Sequence, residues 1–187
     1  MNSIQKQTLI EAVVYILNKT KGITFYYVFK ILYFAEKKHL CQWGSRIIDD
    51  TFLAYEYGPV LKNLYSVVKA EKRGEKTSNE LLRMFDESVA FAGEDASNVL
   101  LAKREANLDY LSDSDISCLD ESIKENATLS FDELKNKSHD AAWHEAVRCH
   151  EQGGSDVMDT VAIARAAGAN EEMINYIKEQ LQPLVLA

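Results

Sequence analysis

Apolar and polar positions change period several times along this chain. Between Gln5 and Asn18, Leu9, Ile10, Val13, Val14 and Leu17 fall on one face of a 3.6-residue repeat, which predicts a first helix. Lys19-Thr20-Lys21-Gly22 breaks the pattern, with Gly22 as the stop. A nearly continuous apolar and aromatic run follows from Phe25 to Ala35, interrupted only by Lys30, and turns polar at Glu36, Lys37, Lys38 and His39. Too short to cross a bilayer and closed by charges, it predicts a helix buried over most of its circumference, with the Thr24 side chain as its cap. The period then drops to two, because Phe52, Ala54 and Glu56 alternate with Leu53, Tyr55 and Tyr57, and this predicts a strand over Thr51 to Tyr57. Gly58-Pro59 is expected to end it, with Pro59 in the first turn of a helix whose apolar side is Leu61, Leu64, Tyr65 and Val68. The order is therefore helix, short hairpin, helix.

The polar stretch from Glu71 to Asn79 predicts a loop, the most mobile part of the chain. The pattern over Glu80 to Ala92 fits both a helical turn at Leu81, Leu82 and Phe85 and a strand at Val89 and Phe91. Val99-Leu100-Leu101 reads as a strand or a helix start, with a turn at Gly93-Glu94-Asp95 between, so a second small hairpin is expected here. Clear helix starts follow. Ser112 caps a helix that buries Ile116, Leu119 and Ile123; Ser130 and Glu133 form a capping box behind Leu129; Asp140 caps a helix through Trp143, Ala146 and Val147. After Gly153-Gly154, Asp156 to Ala167 and Glu171 to Gln182 predict two more helices, the second capped by Asn170 and ended by Pro183. The expected fold is mainly α with one or two small β-hairpins, residues 1–150 forming the domain and 151–187 a helical extension packed on it.

The length of 187 residues is enough for one good core, and 47% apolar with 27% charged residues is an ordinary globular balance. There is no run of about 18 apolar residues, and Met1 to Lys6 leads straight into an amphipathic pattern, so a cytoplasmic protein is expected. Charge is unevenly spread: residues 1–73 carry 11 Lys and Arg against 6 Asp and Glu, whereas residues 74–187 carry 10 against 23, and the whole has a net charge of −8. The acidic half would repel a phosphate backbone, which argues against nucleic acid as the general partner, although the basic N-terminal part tolerates one. Cys41, Cys118 and Cys149 are odd in number and scattered, which is neither a disulfide framework nor a zinc site.

No phosphate loop, dinucleotide fingerprint, metalloprotease motif or nucleophile elbow is present, and neither a catalytic set nor a cofactor is expected. His139, His144 and His150 drift around a helix instead of sharing one face, which argues against a metal site. His139 with Trp143 reads as an anchor for the helix after Asp140, or as a recognition spot. Seven of the nine tyrosines lie in the first 65 residues. They read either as the wet edge of a core or, around the hairpin, as a contact surface.

The segment Lys30-Ile31-Leu32-Tyr33-Phe34-Ala35-Glu36-Lys37, followed by Asp50 to Val60 with its Tyr55-Glu56-Tyr57-Gly58-Pro59-Val60 exit, resembles the SocA-like antitoxins, or Panacea domain. Leu111-Ser112, the block Leu129 to Leu134, and Ser138-His139 with Trp143 are similar to the second half of that family in the same order, so the resemblance covers residues 5–150. Two departures stand out: Lys137 precedes Ser138-His139 where a threonine is more usual before the histidine, and Ala141-Ala142 replaces a common proline. The resemblance implies a prokaryotic or phage antitoxin that binds a cognate toxin and holds it inactive; one member is described as delivering its toxin to a protease. It implies no enzyme. Candidate partner-binding residues are Tyr55, Tyr57, Gly58, Pro59, Val60, His139 and Trp143. The alternative is a winged-helix-like DNA-binding regulator that uses the basic N-terminal part, for which an exposed helix with Lys or Arg at successive turns would be support; Lys62, Lys69 and Arg73 come close to that pattern.

Overall fold

A computed structural model of the chain describes residues 1–75, 79–93 and 98–182. Helix α1 (Ser3–Thr20) starts at a capping box in which the Asn2 side chain accepts from the Gln5 N–H and Gln5 reaches back to the Asn2 N–H. It ends where Lys21 takes a left-handed conformation (φ 59°) and Gly22 follows with φ 98°. Leu9 to Leu17 are all buried, so the middle of α1 is enclosed on every side and not only along the predicted stripe. Strand β1 (Ile23–Thr24) leads into α2 (Phe25–Trp43), which runs well past the apolar segment that predicted it. The expected Thr24 side-chain cap is not made: Thr24 is committed to β1, and the Phe25 N–H donates to the Asn98 carbonyl.

The polar residues beyond Ala35 belong to the interior of α2. Glu36 is fully buried and accepts from Arg46 Nε and from the Ile47 and Ile48 N–H groups, which pins the chain leaving the helix. Strand β2 (Phe52–Tyr55) pairs antiparallel with β3 (Gly58–Leu61), with Ala54 opposite Pro59 and Tyr55 opposite Gly58. The strand expected over Thr51 to Tyr57 stops at Tyr55, and Gly58-Pro59 does not open a helix; it begins the second strand. The reason is the ladder: Ala54 donates its N–H outward, to the Asp156 carbonyl, so its cross-strand partner Pro59 sits where no inward donor is needed. Helix α3 (Lys62–Lys72) follows, and its first-turn N–H groups at Asn63 and Leu64 are capped from a distance by the buried Asp50 carboxylate.

The ambiguous region resolves into both readings in succession: α4 (Glu80–Ser88), then β4 (Val89–Phe91), which pairs with β5 (Val99–Ala102) as the expected second hairpin. β1 adds to the other edge of β5, giving the order β1-β5-β4. A 3-10 turn (Leu108–Tyr110) leads to α5 (Asp113–Asn126), α6 (Phe131–Ser138) and α7 (Ala141–Glu151), capped by Ser112, Ser130 and Asp140 as their sequences predict. The chain then returns to the hairpin. Val157 bridges Leu53, and Met158 donates to the Phe52 carbonyl, before α8 (Thr160–Ala166) and α9 (Glu171–Leu181). Ile163 and Ala164 of α8 and Ile174 and Ile177 of α9 join the same buried cluster as α1 and α2. The Pro183 stop, the Glu94-Asp95 part of the second turn and residues 76–78 of the polar loop lie outside the described residues. Among the described residues, no helix is long and apolar enough to cross a membrane.

Candidate partner-binding surface

Three side chains on one side of α2, Lys30, Tyr33 and Lys37, tie the first hairpin and the α6–α7 corner to the central helix. Lys30 is fully buried; its Nζ donates to the Pro59 carbonyl at 2.8 Å and lies 4.7 Å from the centre of the Tyr26 ring. Burial pushes its pKa down from 10.5 to about 7, since no carboxylate compensates the charge. Gly58 makes this approach possible: with φ 95°, its missing Cβ would stand 2.4 Å from Ser138 Oγ and 3.1 Å from Lys30 Nζ.

Asp140 is the second tie. It accepts from the Tyr33 hydroxyl and from Lys37, and also caps α7 through the Ala142 and Trp143 N–H groups. Burial, with the Asp140 charge added, holds the Tyr33 phenol well above the usual range. One carboxylate thus fixes where α7 starts relative to α2.

That placement aims Trp143 at the hairpin. Its Nε1–H donates to the Tyr55 carbonyl at 3.0 Å, and its ring stacks on His139, with ring centres 3.7 Å apart and planes 5° from parallel. His139 caps the end of α6, and burial followed by the Lys135 and Lys30 charges lowers its pKa from 6.5 to about 4, against an opposing bond to the Glu56 backbone. The ring is therefore neutral at physiological pH. Its Nε2 and the Tyr26 hydroxyl are buried and have no hydrogen-bond partner among the described residues.

Above this buried frame the surface is aromatic. Tyr55 is 37% exposed, Tyr57 51% and Phe131 43%. Tyr57 meets Phe131 at 5.8 Å, and Phe131 continues to Tyr26 at 4.6 Å; Tyr55 meets Tyr65 edge-on at 5.5 Å on the other side of the turn. A shallow concavity of about 440 Å³ beside Tyr55 is lined by Tyr57, Tyr65, His150 and Asp156, among others.

All seven residues singled out from sequence come to this neighbourhood, but in two roles. Tyr55 and Tyr57 face outward, whereas Gly58, Pro59 and Val60 are buried and form the hairpin's inner wall. His139 and Trp143 are half-buried braces under the turn. Sequence reasoning missed Lys30, whose signal was its isolation in an apolar run, and Phe131, an apolar residue directly after the Ser130 cap. His144 is exposed and touches Trp143 edge-on; among the described residues, no group of three or more His, Cys, Asp or Glu side chains is placed to hold a metal ion.

No curated protein and no solved structure matches the chain. A family model described as antitoxin SocA-like, Panacea domain, matches residues 28–144, which run from the first turn of α2 to the Trp143 brace and take in the hairpin and the α6–α7 corner. With well over half its length matched, the chain belongs to the SocA-like antitoxin, Panacea domain, family.

Proposed function

We propose that this protein is an antitoxin that acts in the cytoplasm by binding a cognate toxin directly and holding it inactive, and that the toxin docks on the aromatic surface around the β2–β3 turn. Residues 1–150 are the binding domain in this reading, with 151–187 as a helical extension on it. The observation that carries it is the exposed group Tyr55, Tyr57 and Phe131, set on a frame of buried polar ties within the matched family region. Aromatic side chains that are exposed yet rigidly supported supply much of the energy of protein interfaces at little entropic cost. The work asked of the protein is complementarity and not bond chemistry. Delivery of the bound toxin to a protease would be a further step on the same complex. The DNA-binding alternative has one feature in its favour, the exposed Lys62, Lys69 and Arg73 on one side of α3, but Arg73 is paired with Glu75 and Lys69 lies over Tyr65.

The test is co-expression with the product of the neighbouring reading frame. The expected result is rescue of growth and co-purification of the two proteins, both lost in Tyr57→Ala/Phe131→Ala. A neighbour that the intact protein neither binds nor neutralises would overturn the proposal, as would salt-dependent DNA binding removed by Lys62→Ala/Lys69→Ala with no protein partner retained.

A further inference from the structure

Lysines lie over tyrosine rings at several places in this fold: Lys19 over Tyr15, Lys30 over Tyr26, Lys37 over Tyr33, Lys69 over Tyr65 and Lys135 over Tyr57. Tyr55, 37% exposed, has no cation over its ring among the described residues. It opens instead on the concavity of about 440 Å³, whose lining includes the Glu56 and Asp156 carboxylates and no lysine or arginine. Neither carboxylate has a cation partner among the described residues. Both are held in place through their main chains, Asp156 by the Ala54 N–H and Glu56 by the His139 ring. Unpaired carboxylates are common on a chain of net charge −8 and decide nothing alone. Two of them beside an uncovered ring in one concavity is a different arrangement. At Tyr110 the neighbouring concavity is lined by the Arg104 cation, and at Tyr176 by a single carboxylate, Glu172.

We infer that the concavity beside Tyr55 receives an arginine side chain of the protein partner, its guanidinium stacked on the Tyr55 ring and its N–H groups donating to Glu56 and Asp156. This rests on the reading that the turn is the docking surface and names the side chain that docks there. A cation over a tyrosine face is attracted by the ring quadrupole, which is the contact this chain already makes for its other rings. Glu56, Asp156 and His150 are not grouped to hold a metal ion, so the cation that meets both carboxylates has to be broad. A guanidinium is planar, weakly hydrated and carries five donors in a fixed fork, so it stacks and donates in one pose; a compact, strongly hydrated ammonium gains less there. Lys69 and Lys135 are the opposing charges at this surface. Each lies over another tyrosine and outside the lining of the concavity, so its repulsion acts from further away than the attraction of the two carboxylates.

The experiment titrates the full, isotope-labelled chain with a blocked Gly-Phe-Arg-Phe-Gly peptide and follows its amide NMR shifts. Peptides with citrulline, lysine or glutamate in place of the arginine serve as comparisons. The arginine peptide is expected to give saturable shifts centred on Tyr55, Glu56 and Asp156. Citrulline keeps the shape without the charge and should bind about tenfold more weakly, lysine a few-fold more weakly, and glutamate without saturation. Glu56→Gln/Asp156→Asn should weaken the arginine peptide by about tenfold, and Lys69→Gln should tighten it a few-fold by removing an opposed charge. Glu145→Gln/Glu179→Gln, exposed sites on α7 and α9, should leave it unchanged, and circular dichroism checks that each variant is folded. Shifts that do not saturate, equal binding of any of the three comparison peptides, or arginine binding indifferent to Glu56→Gln/Asp156→Asn would overturn the inference. Those outcomes leave neutralisation of a toxin through other contacts standing. A neighbouring gene product that is neither bound nor neutralised, with arginine-peptide binding as expected, would instead count against the antitoxin reading alone.

Discussion

Replacing Lys30 by methionine keeps a side chain of similar volume in the centre of the fold and removes its titration. In the folded protein the lysine pKa is about 7 against 10.5 when solvated, a difference worth about 5 kcal/mol at full effect. The folded value is the lower one. Between the two pKa values the unfolded chain therefore binds a proton that the folded protein does not, and stability rises with pH across that window. Integrated from about pH 7 to about pH 9, the wild-type protein should gain about 2 kcal/mol relative to Lys30→Met. The bond to the Pro59 carbonyl survives deprotonation, because a neutral amine still has N–H groups to donate. Urea unfolding of both proteins at several pH values measures this, and taking the difference cancels groups common to both. One such group is the Cys118 thiol, which burial pushes up to about 11. A difference that stays flat with pH, or falls, would refute the claim that Lys30 is buried without a compensating charge.

Asp50→Ala removes the acceptor for the Thr51, Asn63 and Leu64 N–H groups and should cost about 2–3 kcal/mol in urea unfolding; a cost equal to that of the exposed Asp49→Ala would show that α3 needs no remote cap. Gly58→Ala should lower stability by about 1–3 kcal/mol in thermal unfolding, combining left-handed strain with the clash at Ser138 Oγ. Adding Ser138→Ala should recover only the clash, so full recovery would show that the backbone angle is unstrained. The His139 pKa of about 4 lies below its usual 6.5, so its contribution is present above about pH 6.5 and is lost as pH falls towards 4. A titration of the ring followed by NMR checks the value, and His139→Phe should reduce the loss of melting temperature over that range; an ordinary midpoint would disprove burial of the ring under the turn.

Helix starts were legible wherever a capping side chain sits beside the helix it serves, as at Ser112, Ser130 and Asp140, because those bonds are local. Where the satisfying group comes from elsewhere, sequence fails. Nothing in the neighbourhood of Lys62 announces that Asp50 caps α3, and nothing near Thr24 shows that the Asn98 carbonyl will take the Phe25 N–H. Gly58-Pro59 misled for a related reason: whether a proline can stand in a strand depends on which way its partner's amide points, and that was decided by Asp156, about a hundred positions away. The surface was half visible. Tyr55 and Tyr57 fell at strand spacing beside a turn, while burial of Gly58 to Val60 and the contribution of Phe131 depend on α2 and α6 meeting at the hairpin.

The short return of residues 156–158 along β2 carries a consequence for how this protein is read by others. By engaging the Ala54 amide and the Phe52 carbonyl, it occupies the flank on which a foreign strand would otherwise add. A partner that docks at the turn, as proposed, would then recognise side chains and not the β2 main chain. Such a contact can be retargeted by exchanging a few outward residues while the scaffold underneath is left alone.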